Sequence, residues 1–285
     1  MYKALSPGAI RIRVDTIPEA IAAAKIGGFG GVEFSPHEIA DLIDRQSAEA
    51  VIALFAEANI RPAGCGLPVE WRGAEDAWRS GLEALPRLAG AMAVIGATRV
   101  STWVMPCSDT REFAENYEFH VRRFQPIAAI LGDHGLSLGL EFIGPKTLRD
   151  TQKFPFIHTM DEMLQMGRDI GPNVGLLLDS FHWYTSGGTV EQLLAMTPNQ
   201  VVVVHVNDAP DGVPRDEQVD NLRALPGATG VIDIAGFLGG LQRIGYVGPV
   251  IPEPFVDLSG LPSDVARLQT VGAAMDYIWT KAKLR

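Results

Sequence analysis

The sequence predicts an α/β fold, a (β/α)8 TIM barrel that forms one domain over residues 1–285. Three observations support it. A length of 285 residues suits a single barrel of roughly 250 residues. Short apolar runs alternate with longer helical patterns, which is typical of a parallel sheet covered by helices. The run VGLLLDSFHW, residues 174–183, is apolar enough for a strand buried on both faces, and it places Asp179 at the strand's carboxyl end.

Each element has a local signal. Thr16 is the predicted N-cap of the first helix, with Pro18 in its first turn and Glu19 at the capping-box position. Later helices contain Pro86 and Pro126, where kinks are expected. The predicted strands span residues 5–12, 31–33, 60–65, 99–105, 136–141, 174–179, 201–206 and 249–253. The predicted helices span residues 16–27, 47–59, 74–96, 112–134, 159–170, 189–196, 234–244 and 263–282.

Composition narrows the class of protein. The formal net charge is −10, which disfavours nucleic-acid and membrane partners because such a surface repels phosphates and anionic lipid. Cys65 and Cys107 form no C-x-x-C motif, so we expect reduced thiols in a cytoplasmic protein. No apolar run approaches the length of a membrane span. The sequence leaves the oligomeric state open, with a homo-oligomer as one option.

Four polar residues fall at the carboxyl ends of four consecutive predicted strands: Glu141, Asp179, His205 and Glu253. Adjacent barrel strands lie about 5 Å apart, so these side chains are expected to converge. Three carboxylates and an imidazole cannot share a small space without a cation, because their mutual repulsion would protonate one or more of them. We therefore predict one divalent metal ion. The oxygen-rich set favours Mn²⁺, with Mg²⁺, Co²⁺, Fe²⁺ and Zn²⁺ as alternatives.

Several motifs resemble the sugar phosphate isomerase/epimerase family, the xylose isomerase-like TIM barrels. They are GGVEF, LGLEFIGPK, GLLLDSFHW, VVHVND and the PG-x-x-G-VID segment. By similarity to the ketose 3-epimerases of this family, Glu141, Asp179, His205 and Glu253 match the metal ligands, and Glu141 and Glu253 match an acid–base pair. The resemblance also implies that His182 and Arg215 contact substrate oxygens.

The sequence departs from the family pattern around this site. It has HVND where many relatives have H-x-K-D, and PGATG where PGEG is common. Pro252 and Pro254 flank Glu253, although proline cannot donate to a sheet ladder. These differences bear on the substrate more than on the metal.

Three further residues at or near strand ends are candidates for contact with the substrate. Glu33 ends the second strand facing inward and is a candidate for binding a sugar hydroxyl, with a structural hydrogen bond as the alternative. Trp103 and Trp183 are candidate apolar walls against sugar C–H faces, or else core residues.

The expected activity is isomerisation or epimerisation of a ketose or keto-sugar through an enediolate. In this reaction a metal ion would polarise the carbonyl and two glutamates would transfer the α-proton. Keto-inositol dehydration or elimination from a 3-keto-glycoside would use the same centre. Two other classes compete: a DNA-repair endonuclease, which the charge and the six histidines disfavour, and a non-catalytic sugar binder.

Overall fold

A computed structural model describes residues 1–284 of the chain. The strands are β1 (Tyr2–Leu5), β2 (Gly31–Glu33), β3 (Arg61–Gly66), β4 (Arg99–Val104), β5 (Cys107–Ser108), β6 (Ser137–Phe142), β7 (Phe154–Pro155), β8 (Val174–Asp179), β9 (Val201–Val206) and β10 (Pro249–Pro252). The helices are α1 (Ile17–Ile26), α2 (Pro36–Arg45), α3 (Ala48–Ala58), α4 (Glu75–Val94), α5 (Phe113–Asp133), α6 (Lys146–Arg149), α7 (Met160–Ile170), α8 (Ser180–Thr185), α9 (Val190–Leu194), α10 (Ile234–Arg243) and α11 (Asp264–Lys281).

Eight of these strands close into a parallel barrel in the order β1-β10-β9-β8-β6-β4-β3-β2. Every pair of neighbours is parallel, and helices connect successive strands. The fold class predicted from the sequence, a (β/α)8 TIM barrel, is therefore confirmed. The small strands β5 and β7 pair antiparallel, outside the barrel.

The apolar residues form two layers. Between strands and helices lies the main core, which includes Leu138, Leu140, Leu176 and Leu178. A smaller cluster fills the barrel interior: Ala4, Ala63, Leu177, Val202, Val203 and Ile251. Small residues are needed there, since a Cβ added to Gly139 would lie 3.1 Å from the backbone nitrogen of Leu177. The interior is thus packed with side chains, and its polar residues collect at the carboxyl ends of the strands.

The structure differs from the prediction at several elements. The first strand spans Tyr2–Leu5, and a 3-10 turn at Gly8–Ile10 occupies part of the predicted strand. Helix α2 was not predicted, although Ser35 caps it and Pro36 occupies its first position. The sequence analysis also gave no sign of β5 and β7, whose two-residue length produces no periodicity. Among the described residues, no helix combines the length and apolar character that crossing a membrane requires.

Candidate active site

Four strand ends bring the predicted ligand set together. One potential ligand atom from each of Glu141, Asp179, His205 and Glu253 lies within 4.8 Å of the others. Strand register produces this: Asp179 on β8 is directly paired with His205 on β9, and β10 pairs with β9 in turn. Glu253 follows β10 immediately, and its N–H donates to the carbonyl of Val206 (3.0 Å).

The flanking prolines do not disrupt the sheet. β10 pairs with β1 at Pro249 and Val250, before Pro252 is reached. Because backbone N–H groups alternate sides along a strand, the N–H of Glu253 faces β9 and makes the ladder bond there. Pro252 therefore interrupts no pairing with β9.

Asp179 is held by the start of helix α8. Its Oδ1 accepts hydrogen bonds from the backbone N–H groups of Phe181 (2.6 Å) and His182 (3.3 Å), so it is the N-cap of that helix. The side-chain amide of Asn207 donates to both carboxylate oxygens, at 3.2 and 3.0 Å. The departure from the family pattern at Asn207 thus supplies a neutral donor that orients Asp179.

A buried arginine, Arg223, completes the site. It comes from the loop that connects β9 to α10, residues 207–233, and its side chain is 1% exposed. Its Nη1 donates to Asp179 Oδ2 (3.0 Å) and to Glu253 Oε2 (2.9 Å). Its Nη2 donates to Asp220 Oδ1 (2.7 Å). The guanidinium lies against the rings of Phe181 and Phe255, 4.9 and 4.5 Å from their centroids.

The electrostatics show a cluster that needs positive charge. Burial disfavours the charged imidazole of His205, but the nearby Glu253, Glu141 and Asp179 outweigh it and raise the pKa of His205 to about 10. Burial also opposes ionisation of Asp179, but Arg223, His182 and His205 outweigh it and lower the pKa of that carboxyl to about 2. Burial and then Glu253 raise the pKa of Glu141 well above its ordinary value.

The donor set fits a divalent cation. Oε1 of Glu141 and Nδ1 of His205 are buried without a hydrogen-bond partner in the described residues, and Nδ1 of His205 lies 3.4 Å from Glu253 Oε1. A buried polar atom left unpaired costs free energy. A metal ion at this position would satisfy these atoms and replace the proton on His205.

His182 lies at the inner wall of the site, 1% exposed. Its Nδ1 accepts a hydrogen bond from the N–H of Gly144 (3.3 Å), and its Nε2 lies 3.2 Å from Arg223 Nη2 and 3.7 Å from Glu141 Oε1. Burial, the main cause, lowers the pKa of His182.

A cavity of about 430 Å³ opens above the cluster. Its lining includes four residues of the site described above, namely Glu141, His182, Arg223 and Glu253. Other polar and apolar residues complete the lining. The polar ones are Asp220 and Asn221, and the apolar ones are Trp103, Met105, Ile143, Leu148 and Phe255. Trp103 is 44% exposed at the mouth, opposite Glu141 in the β4–β6 register. This volume accommodates a monosaccharide-sized ligand.

Three other residues predicted to contact substrate, Glu33, Trp183 and Arg215, are not among those that line this cavity. Glu33 ends β2 and lines a neighbouring cavity of about 320 Å³, and burial raises its pKa. Glu33 nevertheless lies close enough to the cluster for the charges of His205 and Glu253 to affect its pKa as well. Trp183 is a core residue, 5% exposed and packed against Phe237 at 5.2 Å. Arg215 is an exposed residue of a 3-10 turn beside Gly187, outside the residues that line the cavity.

Sequence reasoning missed Asp220 and Arg223. Both occur in the polar loop between the seventh and eighth predicted strands, where the resemblance drew attention to Arg215 instead. One signal was available: Arg223 stands directly before the Ala-Leu-Pro-Gly segment of a recognised motif. The loop's contacts are long-range, however, so no local periodicity distinguishes one of its arginines from the other.

Fold and site together define a (β/α)8 barrel with a carboxylate-rich centre at its C-terminal mouth. A family model described as "Xylose isomerase-like TIM barrel" matches residues 21–278. The chain belongs to this family.

Two curated relatives and one solved structure illustrate the similarity. An inosose isomerase of Bacillus velezensis is 32% identical over 130 residues, 45% of this chain and 43% of the relative. A 3-dehydroshikimate dehydratase of Pseudomonas putida is 26% identical over 245 residues, 85% of this chain and 36% of the relative. A xylose isomerase domain protein from Alicyclobacillus acidocaldarius has a TM-score of 0.86 and 30% identity, with 99% of each chain covered. The matches thus span less than half the length of both curated relatives.

Proposed function

We propose that this protein is a metal-dependent isomerase or epimerase that acts on a ketose or keto-sugar through an enediolate. The observation that carries the proposal is the convergence of Glu141, Asp179, His205 and Glu253 within 4.8 Å. Two of them, Glu141 and Glu253, line a sugar-sized cavity. The similarity to an inosose isomerase supports the same class of reaction.

These four residues would hold the metal, with Mn²⁺ favoured by the oxygen-rich donor set. When bound, the ion polarises a carbonyl and a neighbouring hydroxyl of the substrate. Asn207 and the start of α8 keep Asp179 oriented toward that position, because both donate to its carboxylate. Such supporting hydrogen bonds tune metal sites elsewhere.

Glu141 and Glu253 would form the acid–base pair. They come from β6 and from the end of β10, which are separated in the barrel by β8 and β9. Their carboxylates therefore approach a substrate from different sides. One removes the α-proton, and the other returns a proton to the opposite face or to the neighbouring carbon, so proton count is conserved.

The remaining lining residues would position the substrate. His182 Nε2 is close enough to Glu141 to contact the same substrate oxygen. Trp103 and Phe255 present apolar surfaces that pack against C–H faces and exclude water from the reacting carbon.

The similarity to 3-dehydroshikimate dehydratase, which covers 85% of this chain, favours a second candidate, a lyase. In a keto-inositol dehydratase or a 3-keto-glycoside lyase, one glutamate would remove the same α-proton and the other would protonate the leaving oxygen. Water or an alcohol would then depart and a double bond would form.

The test is exchange of the α-proton in deuterated buffer, measured by NMR for ketoses and an inosose. We expect exchange with the Mn²⁺-loaded protein, loss of exchange after chelation, and recovery when Mn²⁺ is restored. Glu141→Gln and Glu253→Gln should each lower turnover by roughly 10²- to 10⁴-fold.

Glu57→Gln is the matched control, since Glu57 is an exposed residue of α3. Full activity of Glu141→Gln, or of the exhaustively chelated protein, would contradict the proposed mechanism. The product then distinguishes the two candidates: an epimer or isomer indicates the isomerase, and a dehydrated product indicates the lyase.

A further inference from the structure

We propose that the site selects uncharged polyhydroxy ketones, and that Asp220 enforces this choice by occupying the guanidinium of Arg223. The inference rests on the proposed function, whose substrate class it specifies. It separates two chemistries found among the relatives, since an inosose is neutral whereas 3-dehydroshikimate carries a carboxylate.

Arg223 is the one cationic side chain among the described residues that line the cavity. Its Nε donates to the carbonyl of Asp220 (2.8 Å), and its Nη1 is shared between Asp179 and Glu253. Its Nη2 donates to the Asp220 carboxylate at 2.7 Å, and the other side of this nitrogen faces His182. An incoming carboxylate or phosphate therefore finds the guanidinium already committed.

The charge of the lining opposes an anion as well. Glu141, Glu253 and Asp220 of the lining supply three carboxylates, and the buried Asp179 next to them supplies a fourth. A divalent ion and Arg223 together leave this set one negative charge, so an anionic substrate enters against repulsion. Asp220 is itself 23% exposed, which leaves its carboxylate able to accept hydrogen bonds from substrate hydroxyl groups.

Arg72, which contacts the lining residue Trp103, is also engaged in other interactions. The guanidinium of Arg72 is stacked between the rings of Trp71 and Trp103, 4.2 and 4.0 Å from their centroids. Its Nη2 donates to the carbonyl of Trp103 and to Thr102 Oγ1. Arg72 therefore supports the outer side of the Trp103 wall.

The experiment compares matched neutral and charged compounds with the Mn²⁺-loaded full chain. D-Fructose is paired with D-fructose 6-phosphate, and an inosose is paired with 3-dehydroshikimate. We expect the wild-type protein to show a kcat/KM, or a rate of α-proton exchange, at least tenfold higher for the neutral member of each pair.

Asp220→Asn keeps the shape of the side chain but releases Arg223 from a charged partner. We expect it to reduce the preference for neutral compounds at least tenfold, mainly by improving the charged ones. Asp220→Glu keeps the charge and should keep the preference. Asp216→Asn, which removes an exposed acid of the same loop 3.9 Å from Lys146, should leave the preference unchanged.

The outcomes separate the two proposals. If the wild-type protein turns over a ketose but prefers the charged member of a pair, the inference about selectivity is overturned and the proposed function stands. If no compound undergoes exchange, the proposed function fails. Calorimetric binding of the same pairs then decides the inference: tighter binding of the neutral member supports it, and equal or weaker binding overturns it. Because these comparisons use the wild-type protein, they test the inference even if a variant fails to fold.

Discussion

Arg223 forms ion pairs with two of the four residues proposed to bind the metal, Asp179 and Glu253. Its Nη1 lies 3.0 Å from Asp179 and 2.9 Å from Glu253, in a region where both Arg223 and Asp179 are almost completely buried. Removing one member of a buried ion pair leaves the partner's charge without compensation. The stability of the apo protein should therefore depend on this residue.

Arg223→Met is expected to lower the free energy of unfolding of the chelated protein by about 3–5 kcal/mol. Addition of Mn²⁺ should recover part of the loss, because the ion supplies the missing positive charge. Urea denaturation in the presence of a chelator and in the presence of Mn²⁺ measures both values.

Arg87→Met is the control for this substitution. Arg87 also pairs with two acids, Asp41 and Asp44, but its side chain is 49% exposed. Water screens such a pair, so we expect a much smaller change that does not respond to Mn²⁺. If both variants lost the same free energy of unfolding, Arg223 would contribute no more to stability than an arginine in an exposed ion pair.

At the level of single residues, the sequence allowed the four candidate metal ligands to be predicted but not Arg223. Glu141, Asp179 and His205 end strands, where regular geometry fixes their position. The position of Arg223 depends on how a long loop folds over the barrel, and several contacts distant in sequence determine that path. Trp183 shows that a position next to a site residue in the sequence does not place a side chain in the site. It follows His182 directly, yet the turn of α8 directs its side chain into the core.

Helices α1 and α11 meet where the barrel closes, and their packing depends on a glycine. A Cβ added to Gly272 on α11 would overlap the carbonyl oxygen of Gly27, which follows α1. Only a residue without a side chain allows the two backbones to approach this closely.

Gly272→Ala is therefore expected to destabilise the protein by about 1–3 kcal/mol, as overpacking does in other interiors. Gly239→Ala on α10 is the matched control. An added Cβ there meets no atom within 4 Å, so alanine's better helix propensity should raise stability by up to about 1 kcal/mol. Thermal unfolding of the two variants gives the comparison, and a neutral Gly272→Ala would contradict the close-packing argument.

At α1 and α7 the element boundaries followed from the sequence because capping residues mark them, whereas the capped helix α2 was missed. Thr16 and Glu19 form the expected capping box of α1, and Thr159 forms a similar one with Glu162 in α7. Alternation along β9 was harder to predict. The pairing between β8 and β9 shifts after Leu176, so Val202 and Val203 both join the interior cluster. A bulge of this kind depends on the neighbouring strand and leaves no mark in the local pattern.

The stability of the whole molecule should depend on pH through a buried histidine remote from the cluster. His120 of α5 is 5% exposed and stacks on Phe156 at 4.9 Å, with Trp71 at 5.2 Å. Its Nδ1 lies 2.6 Å from the carbonyl of Asn116. Burial, the main cause, lowers the pKa of His120 to about 4 from an ordinary value of 6.5.

Below pH 6.5 the unfolded chain binds a proton at this position and the folded protein does not, so folding becomes less favourable as the pH falls toward 4. The contribution levels off below that value. The total loss corresponds to about 3 kcal/mol. Asp179, with a pKa of about 2, loses its own contribution at lower pH.

His120→Phe should flatten the pH dependence of the free energy of unfolding between pH 6.5 and 4, measured by denaturation of the Mn²⁺-loaded protein. His37→Phe, at an exposed position of α2, should keep the wild-type slope. The prediction is wrong if His120→Phe and the wild-type protein lose stability in parallel.

The loop between β9 and α10 has a consequence for how new specificities arise in this architecture. Asp208 anchors it by accepting from the N–H groups of Thr229, Gly230 and Ile232, and the span between those anchors carries both Asp220 and Arg223. The strand ends that would perform the chemistry and the segment that would choose the molecule are thus encoded in separate parts of the gene. Changes in residues 211–228 that keep Arg223, which is bonded to Asp179 and Glu253, could alter substrate preference and leave the strand ends as they are, so one barrel could give rise to enzymes for several substrates.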